Sequence, residues 1–209
     1  MSFPRTFTTL VVLGATCLGA HAQVGNNNAV LNPDIATEAE LAGVVHLDAG
    51  LVAAIVEQRP FADMSELDAL LGALSEAQRD EVYTRLFLPI NLNTASRAEI
   101  LLIPGLSERM AHEFEEYRPY TSLEQFRREI GKYVDAVEVA RLEQYVFVPL
   151  DLNSATSEAF LTIPGVGARM VHEFEEYRPY QSMEQFRREI GKYVDADEVA
   201  RLERYMTIQ

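Results

Sequence analysis

The sequence predicts an all-α fold assembled from three tandem copies of one small unit. Two observations carry this reading. The chain repeats itself with a period of about sixty residues, and within each copy apolar positions recur at three and four residues between proline, glycine and capping residues. A third observation is negative: no stretch alternates apolar and polar residues long enough to make a sheet.

Sliding the chain along itself superposes Asn91 to Pro149 on Asp151 to Gln209 with roughly two thirds of the positions identical, the mark of a duplication. Residues 31–90 read as a third, diverged copy: "LNPDIATEAEL" stands for "LNTASRAEI", "EQRPF" for "EYRPY", and "DMSELDALLGALSEAQRDEVYTRL" for "SLEQFRREIGKYVDAVEVARL". The boundaries that follow are 31–90, 91–150 and 151–209.

Before the copies, residues 1–22 read as a signal peptide: Arg5 supplies positive charge, Phe7 to Leu18 is apolar and small, and Ala20-His21-Ala22 has the A-x-A form of a cleavage site. The expected mature start is Gln23 and the expected location secreted or periplasmic. A dozen or so apolar residues are too few to span a bilayer, so no membrane insertion is expected after cleavage. The single cysteine, Cys17, falls inside this segment, which leaves the mature chain without a thiol. Residues 23–30, with Asn26-Asn27-Asn28, read as a flexible polar linker.

Each copy resolves into four or five short helices. The first opens with a capping box, Thr37 with Glu40 or Ser96 with Glu99, and stops at Pro104-Gly105. The second starts beyond that turn, places Met110, Phe114 and Tyr117 on one face, and is terminated by Pro119. The third is capped by Asp63 with Glu66, Ser122 with Gln125, and Ser182 with Gln185. It turns Phe126 and Ile130 inward, and Gly131 closes it as a C′ glycine. The last carries Val139, Leu142 and Val146 into "YVFVPL", where Phe147-Val148 begins a short extended joint. The brevity of the joints Leu88-Pro89-Ile90 and Val148-Pro149-Leu150 predicts close stacking of the copies.

The 209 residues carry a formal charge of −14 with 48% apolar side chains. Such a chain can bury real cores, but its overall field repels DNA and anionic membranes, so any basic patch must be local. The chemistry-bearing stretch is "IPGVGARM", Ile163 to Met170. Pro164 breaks the preceding helix, Gly165 and Gly167 permit backbone angles closed to other residues, and the next helix begins with unpaired amides. Converging N–H groups at a positive helix end can hold a phosphate oxygen without reading a base, and Arg169 in the first turn can add a charge-assisted contact.

These residues resemble the helix-hairpin-helix repeats of the ComEA-like family, exported competence proteins that bind DNA. The likeness lies in "LNSATSEAFLTIPGVGARM", "LNTASRAEILLIPGLSERM" and the downstream "RPYxSxEQFRREIGKY", and it spans each sixty-residue copy. It implies three tandem units of paired helix-hairpin-helix (SAM-like) architecture, with second hairpins at Ile130-Gly131-Lys132 and Ile190-Gly191-Lys192. It also implies that hairpin amides, aided by Lys and Arg, hold double-stranded DNA by its backbone independently of sequence. Carried over by position, the contacts are Gly165, Gly167 and Arg169, then Gly105, Ser107 and Arg109, with Lys132, Lys192, Arg128 and Arg188 assisting.

The copies depart from this pattern unequally. The second has Gly105-Leu106-Ser107, and the first has His46-Leu47-Asp48, where an aspartate would repel phosphate. The first copy also holds only Arg59, Arg79 and Arg85 as cations. In the others, Arg127, Arg128 and Lys132, and Arg187, Arg188 and Lys192, form one basic cluster each, with Glu113, Glu115 and Glu116 as expected ion-pair partners in the second copy.

His112 with Glu116, and His172 with Glu176, offer two ligands where a closed zinc site needs about four, so they read as surface ion pairs. Tyr117, Tyr120, Tyr133 and Tyr145 read as packing residues rather than base-stacking ones. There is no triad, P-loop or metal cage, so no catalysis and no cofactor are expected. Two functions stay open: an exported DNA-binding protein, or a module that uses the same turns for packing and offers an acidic face to a protein partner.

Overall fold

The computed structural model describes residues 29–208. The expected signal peptide, Cys17, the expected start at Gln23 and most of the expected linker lie outside the described residues. Of the linker, Val30 is described and is buried.

The described residues are mainly helical, in three successive groups of four. The first comprises α1 (Glu38–Ala42), α2 (Ala49–Gln58), α3 (Met64–Leu70) and α4 (Glu76–Tyr83). After the strand β1 (Ile90–Asn91) come α5 (Arg97–Leu101), α6 (Glu108–Glu116), α7 (Leu123–Ile130) and α8 (Ala136–Glu143), then the strands β2 (Val146–Phe147) and β3 (Leu150–Asp151). The third group is α9 (Ser157–Phe160), α10 (Ala168–Glu176), α11 (Met183–Ile190) and α12 (Ala196–Glu203), followed by β4 (Met206–Thr207).

The strands correct the expectation of no sheet. β1 pairs in parallel with β2, Ile90 opposite Val146 and Asn91 opposite Phe147, and β3 pairs in parallel with β4, Leu150 opposite Met206 and Asp151 opposite Thr207. A lone bridge between Leu31 and Leu86 does the same for the first group. Two residues are too few to show an alternation, and the two halves of each pair stand a whole helix group apart in sequence. Val146, expected on the last helix, is instead a buried strand residue, because α8 ends at Glu143.

The capping reading corresponds closely to what is seen. Thr37 and Ser96 form reciprocal capping boxes with Glu40 and Glu99. Asp63, Ser122 and Ser182 accept from the backbone N–H three residues on. Gly131 differs: it is helical, with φ −62°, and a side chain there would press to within 2.7 Å of the Arg127 carbonyl. Glycine is needed for close approach to the preceding turn rather than for a left-handed cap.

A second device recurs in every group. The arginine of "QRP" or "YRP" turns back on the start of its group, where Arg118 Nε donates to the Leu92 carbonyl at 2.6 Å and its terminal nitrogen to that of Ala95 at 2.6 Å. Arg59 and Arg178 make the same pair of bonds to Pro33 and Ala36, and to Leu152 and Ala155. This fixes the true register of the first copy: Asp34, not Asn32, occupies the place of Asn93 and Asn153, accepting from the Phe61 N–H at 3.0 Å as they accept from those of Tyr120 and Tyr180.

The groups stack closely. The first and second share one continuous core, in which Leu88 and Ile90 of the joint are buried and the Phe87 ring meets Tyr145 edge-on at 5.0 Å. Sixty residues on, Phe147 meets Tyr205 with ring centroids 4.7 Å apart, so the same joint is used twice. Phe126 and Ile130, expected inside, are fully buried, and Phe114 packs edge-on against Phe126 at 5.2 Å.

Candidate nucleic-acid interface

Three turns lie between the first and second helices of the groups, and they have one backbone shape. His46, Gly105 and Gly165 all adopt positive φ, at 66°, 73° and 78°. Two residues later Asp48, Ser107 and Gly167 are the extended N-caps of α2, α6 and α10. The turn therefore survives in all three groups, including the one whose sequence lacks the glycines.

What fills the turn differs. The Asp48 carboxylate accepts from the Leu51 N–H at 2.9 Å, and the Ser107 hydroxyl accepts from the Met110 N–H at 3.3 Å. Gly167 supplies no such cap, and a methyl group placed on it would meet nothing within 4 Å. The start of α10, a nine-residue helix, thus has neither a side-chain cap nor a close neighbour beside Gly167, an arrangement that can accept an anionic oxygen. α6 begins with Glu108, whereas the first turn of α10 carries no acid.

Beneath the turn sits a residue that the sequence reading did not single out. Arg201 of α12 is buried, donates to the Pro164 carbonyl at 2.6 Å and grips Glu198 with two bonds of 2.7 Å. Arg141 does the same for Pro104 and Glu138. A methyl group on Gly165 would lie 3.3 Å from the Arg201 guanidinium, so glycine is required there by both φ and space. The first group inverts the chemistry: Glu81 stands where these arginines stand, and His46, in the glycine's place, contacts it at 2.8 Å. The signal for this was present, since Glu81, Arg141 and Arg201 are sixty residues apart in sequence.

The cations expected to contact DNA divide into two classes. Arg109 and Arg169 are exposed and, among the described residues, have no ion-pair partner; both project from the first turn after a hairpin. The basic clusters of α7 and α11 are occupied instead. Arg127 clasps Glu143 through bonds of 2.7 and 2.5 Å, Arg128 meets Glu129 at 2.9 Å, and Lys132 closes on Glu129 as well. Arg187, Arg188 and Lys192 repeat this with Glu203 and Glu189. The partners are thus the glutamates of α7, α8, α11 and α12 rather than the expected Glu113, Glu115 and Glu116. Hydrogen bonds from Lys132 and then Arg128 hold Glu129 below the usual carboxylate range, as Lys192 and Arg188 do for Glu189.

Lys132 also lies 4.8 Å from the centre of the Tyr117 ring, whose hydroxyl meets that of Tyr133 at 2.8 Å. The turn around Gly131 leads to α8, whose N-cap Asp135 accepts from the Glu138 N–H at 2.9 Å. A carboxylate therefore occupies that helix start, as Asp195 occupies the start of α12.

His112 and His172 face Glu116 and Glu176 at 3.6 Å. Among the described residues no group of three or more His, Cys, Asp or Glu side chains could hold a metal ion, and no helix is long and apolar enough to cross a membrane. No family model, curated protein or solved structure matches this chain.

Proposed function

We propose that this is an exported, ComEA-like protein of three tandem helix-hairpin-helix units that binds double-stranded DNA by its backbone, through one principal grip. That grip is the third-unit hairpin, Gly165 to Arg169, with the second-unit hairpin at Gly105, Ser107 and Arg109 as a weaker one. The observation that carries the reading is the uncapped start of α10 beside Arg169, which has no ion-pair partner among the described residues. Amides that no side chain satisfies can be satisfied by a phosphate, and a free guanidinium adds charge without first breaking an ion pair. Lys132, Lys192, Arg128 and Arg188 contribute little, because each must leave a glutamate to reach a phosphate.

The test exchanges one residue between hairpins. Gly167→Asp installs at α10 the cap that Asp48 provides at α2, so the fold is kept while the anion site is filled by the protein's own carboxylate. Binding of residues 23–209 to a short labelled duplex, falling with salt and weakened roughly tenfold or more in the variant, supports the proposal. Equal binding by both proteins removes the hairpin from the mechanism.

A second reading is favoured by a separate observation. Arg127 and Arg128 of α7, Arg187 and Arg188 of α11, and Lys132 and Lys192 just beyond these helices are turned onto glutamates, and the chain as a whole carries a formal charge of −14, a balance that suits a protein partner better than DNA. Absence of duplex binding even at low salt selects it.

A further inference from the structure

The third hairpin does not rest on its own unit alone. A methyl group on Gly165 would lie 3.6 Å from Ile35 Cγ2 of the first unit, almost as near as it would lie to Arg201. Beside Ile35, the Asp34 carboxylate is almost wholly buried and accepts from an Arg204 terminal nitrogen at 3.4 Å, and the other terminal nitrogen of Arg204 donates to the Pro89 carbonyl at 3.1 Å. Asn32 completes the contact, donating to the Tyr205 hydroxyl at 3.3 Å. Arg204 immediately follows α12, the helix that carries Arg201 under the hairpin. The end of that helix is therefore tied to the first unit at several points.

Among the described residues, the second hairpin has no such backing. Gln144 stands in the place of Arg204, and a methyl group on Gly105 would meet only Arg141, at 4.0 Å. The residue equivalent to Asp34, Asn93, spends its amide on the Tyr120 carbonyl at 2.9 Å. The aspartate in the first unit is what frees an oxygen for Arg204.

We infer that the first unit, although its own hairpin is filled, is the seat of the third: Asp34 and Ile35 are positioning residues that hold Gly165 to Gly167 in shape, Asp34 through Arg204 and Ile35 by its place beside Gly165. The functional arm of this inference rests on the DNA-binding reading, since a turn already held in its bound form loses less entropy on meeting a phosphate.

The test reads the turn itself. The Val166 N–H bonds to the Ile163 carbonyl at 3.1 Å, and in the second hairpin the Leu106 N–H bonds to that of Ile103 at 3.0 Å, so the second serves as an internal control for the first. In Arg204→Gln, which copies Gln144, hydrogen exchange at Val166 should rise roughly tenfold while Leu106 is unchanged. Arg204→Lys should recover most of the protection, and Ile35→Ala should reproduce the loss without touching the ion pair. An unchanged ratio of Val166 to Leu106 exchange in both Arg204→Gln and Ile35→Ala overturns the inference; if Arg204→Gln loosens the whole chain, Ile35→Ala decides alone. Duplex binding is measured beside it. Where the unmodified protein binds, Arg204→Gln should weaken binding severalfold; where it does not, the DNA reading fails and the exchange ratio still decides whether the first unit seats the hairpin.

Discussion

The first and third hairpins have the same backbone and opposite chemistry. Both turn at a positive φ and enter a helix through an extended cap. One holds a glycine over a buried arginine and leaves its helix start open; the other holds a histidine against a glutamate and closes its helix start with an aspartate. The turn is thus a packing element first, kept wherever two helices must be joined at this angle. The proposed anion binding would depend instead on the three positions around it, His46, Asp48 and Glu81 in one hairpin and Gly165, Gly167 and Arg201 in the other.

The largest expected separation of the two comes from the residue underneath. Arg201→Ala removes a buried guanidinium bonded to a carbonyl and a carboxylate, and should cost about 3 kcal/mol. Glu81→Ala, at the equivalent place in the first group, breaks an exposed contact and should cost less than about 1 kcal/mol. Urea titrations of the two variants give both numbers, and equal losses would mean that the hairpins are supported alike.

Next is the turn residue. Gly165→Ala forces a side chain to φ 78° and toward Arg201, for an expected loss of about 1–2 kcal/mol. His46→Gly relieves a strained φ but gives up the Glu81 contact, so its effect should stay within about 1 kcal/mol of zero. Thermal melts suffice to rank them.

The clamp between the groups gives the comparison a pH axis. Burial pushes the Asp34 carboxyl above its ordinary 3.8, an effect only partly offset by the Phe61 N–H and the nearby Arg204, Arg201 and Arg59. The folded chain then holds this proton more tightly than the unfolded one. The contribution to stability is full below the ordinary value and declines as pH rises through the raised one. Asp34→Asn should remove that decline, seen as a flatter difference profile of unfolding free energy in titrations spanning about pH 3 to 6. A profile parallel to that of the unmodified chain would place the carboxyl at its ordinary value.

The smallest effects are the reciprocal cap exchanges. Asp48→Gly should lower stability by a few tenths of a kcal/mol and Gly167→Asp should raise it by as much, measurable as opposite shifts in urea midpoint. Shifts of one sign would show that the two helix starts are not equivalent.

Much of the local structure was legible in the sequence, because caps and apolar spacing act within one or two turns of helix. Ser96 with Glu99, Ser122 with Gln125, and the inward Phe126 and Ile130 needed nothing distant. The hairpin glycines were legible for the same reason. Their support was not: Arg201 reaches Pro164 across 37 residues, and no local pattern marks an arginine that will be buried. The basic clusters misled in a similar way. Arg127 finds Glu143 because α7 packs on α8, and Lys132 finds Glu129 one turn behind it, while Glu113 to Glu116 lie on a different helix. Pattern reading could not see the strands, whose two-residue segments carry no period.

Those strands have a consequence for how such a chain grows. In each group the segment that enters and the segment that leaves run side by side and in the same direction, about 4.8 Å apart. A gene segment encoding one group can therefore be copied in tandem with no new connection to invent, since the exit of one copy already points where the entry of the next must begin. Each copy closes its own parallel pair, and the next copy begins a separate one. A copy made this way is free to fill its own hairpin, as the first does with Asp48 and His46, and still to pack against its neighbours.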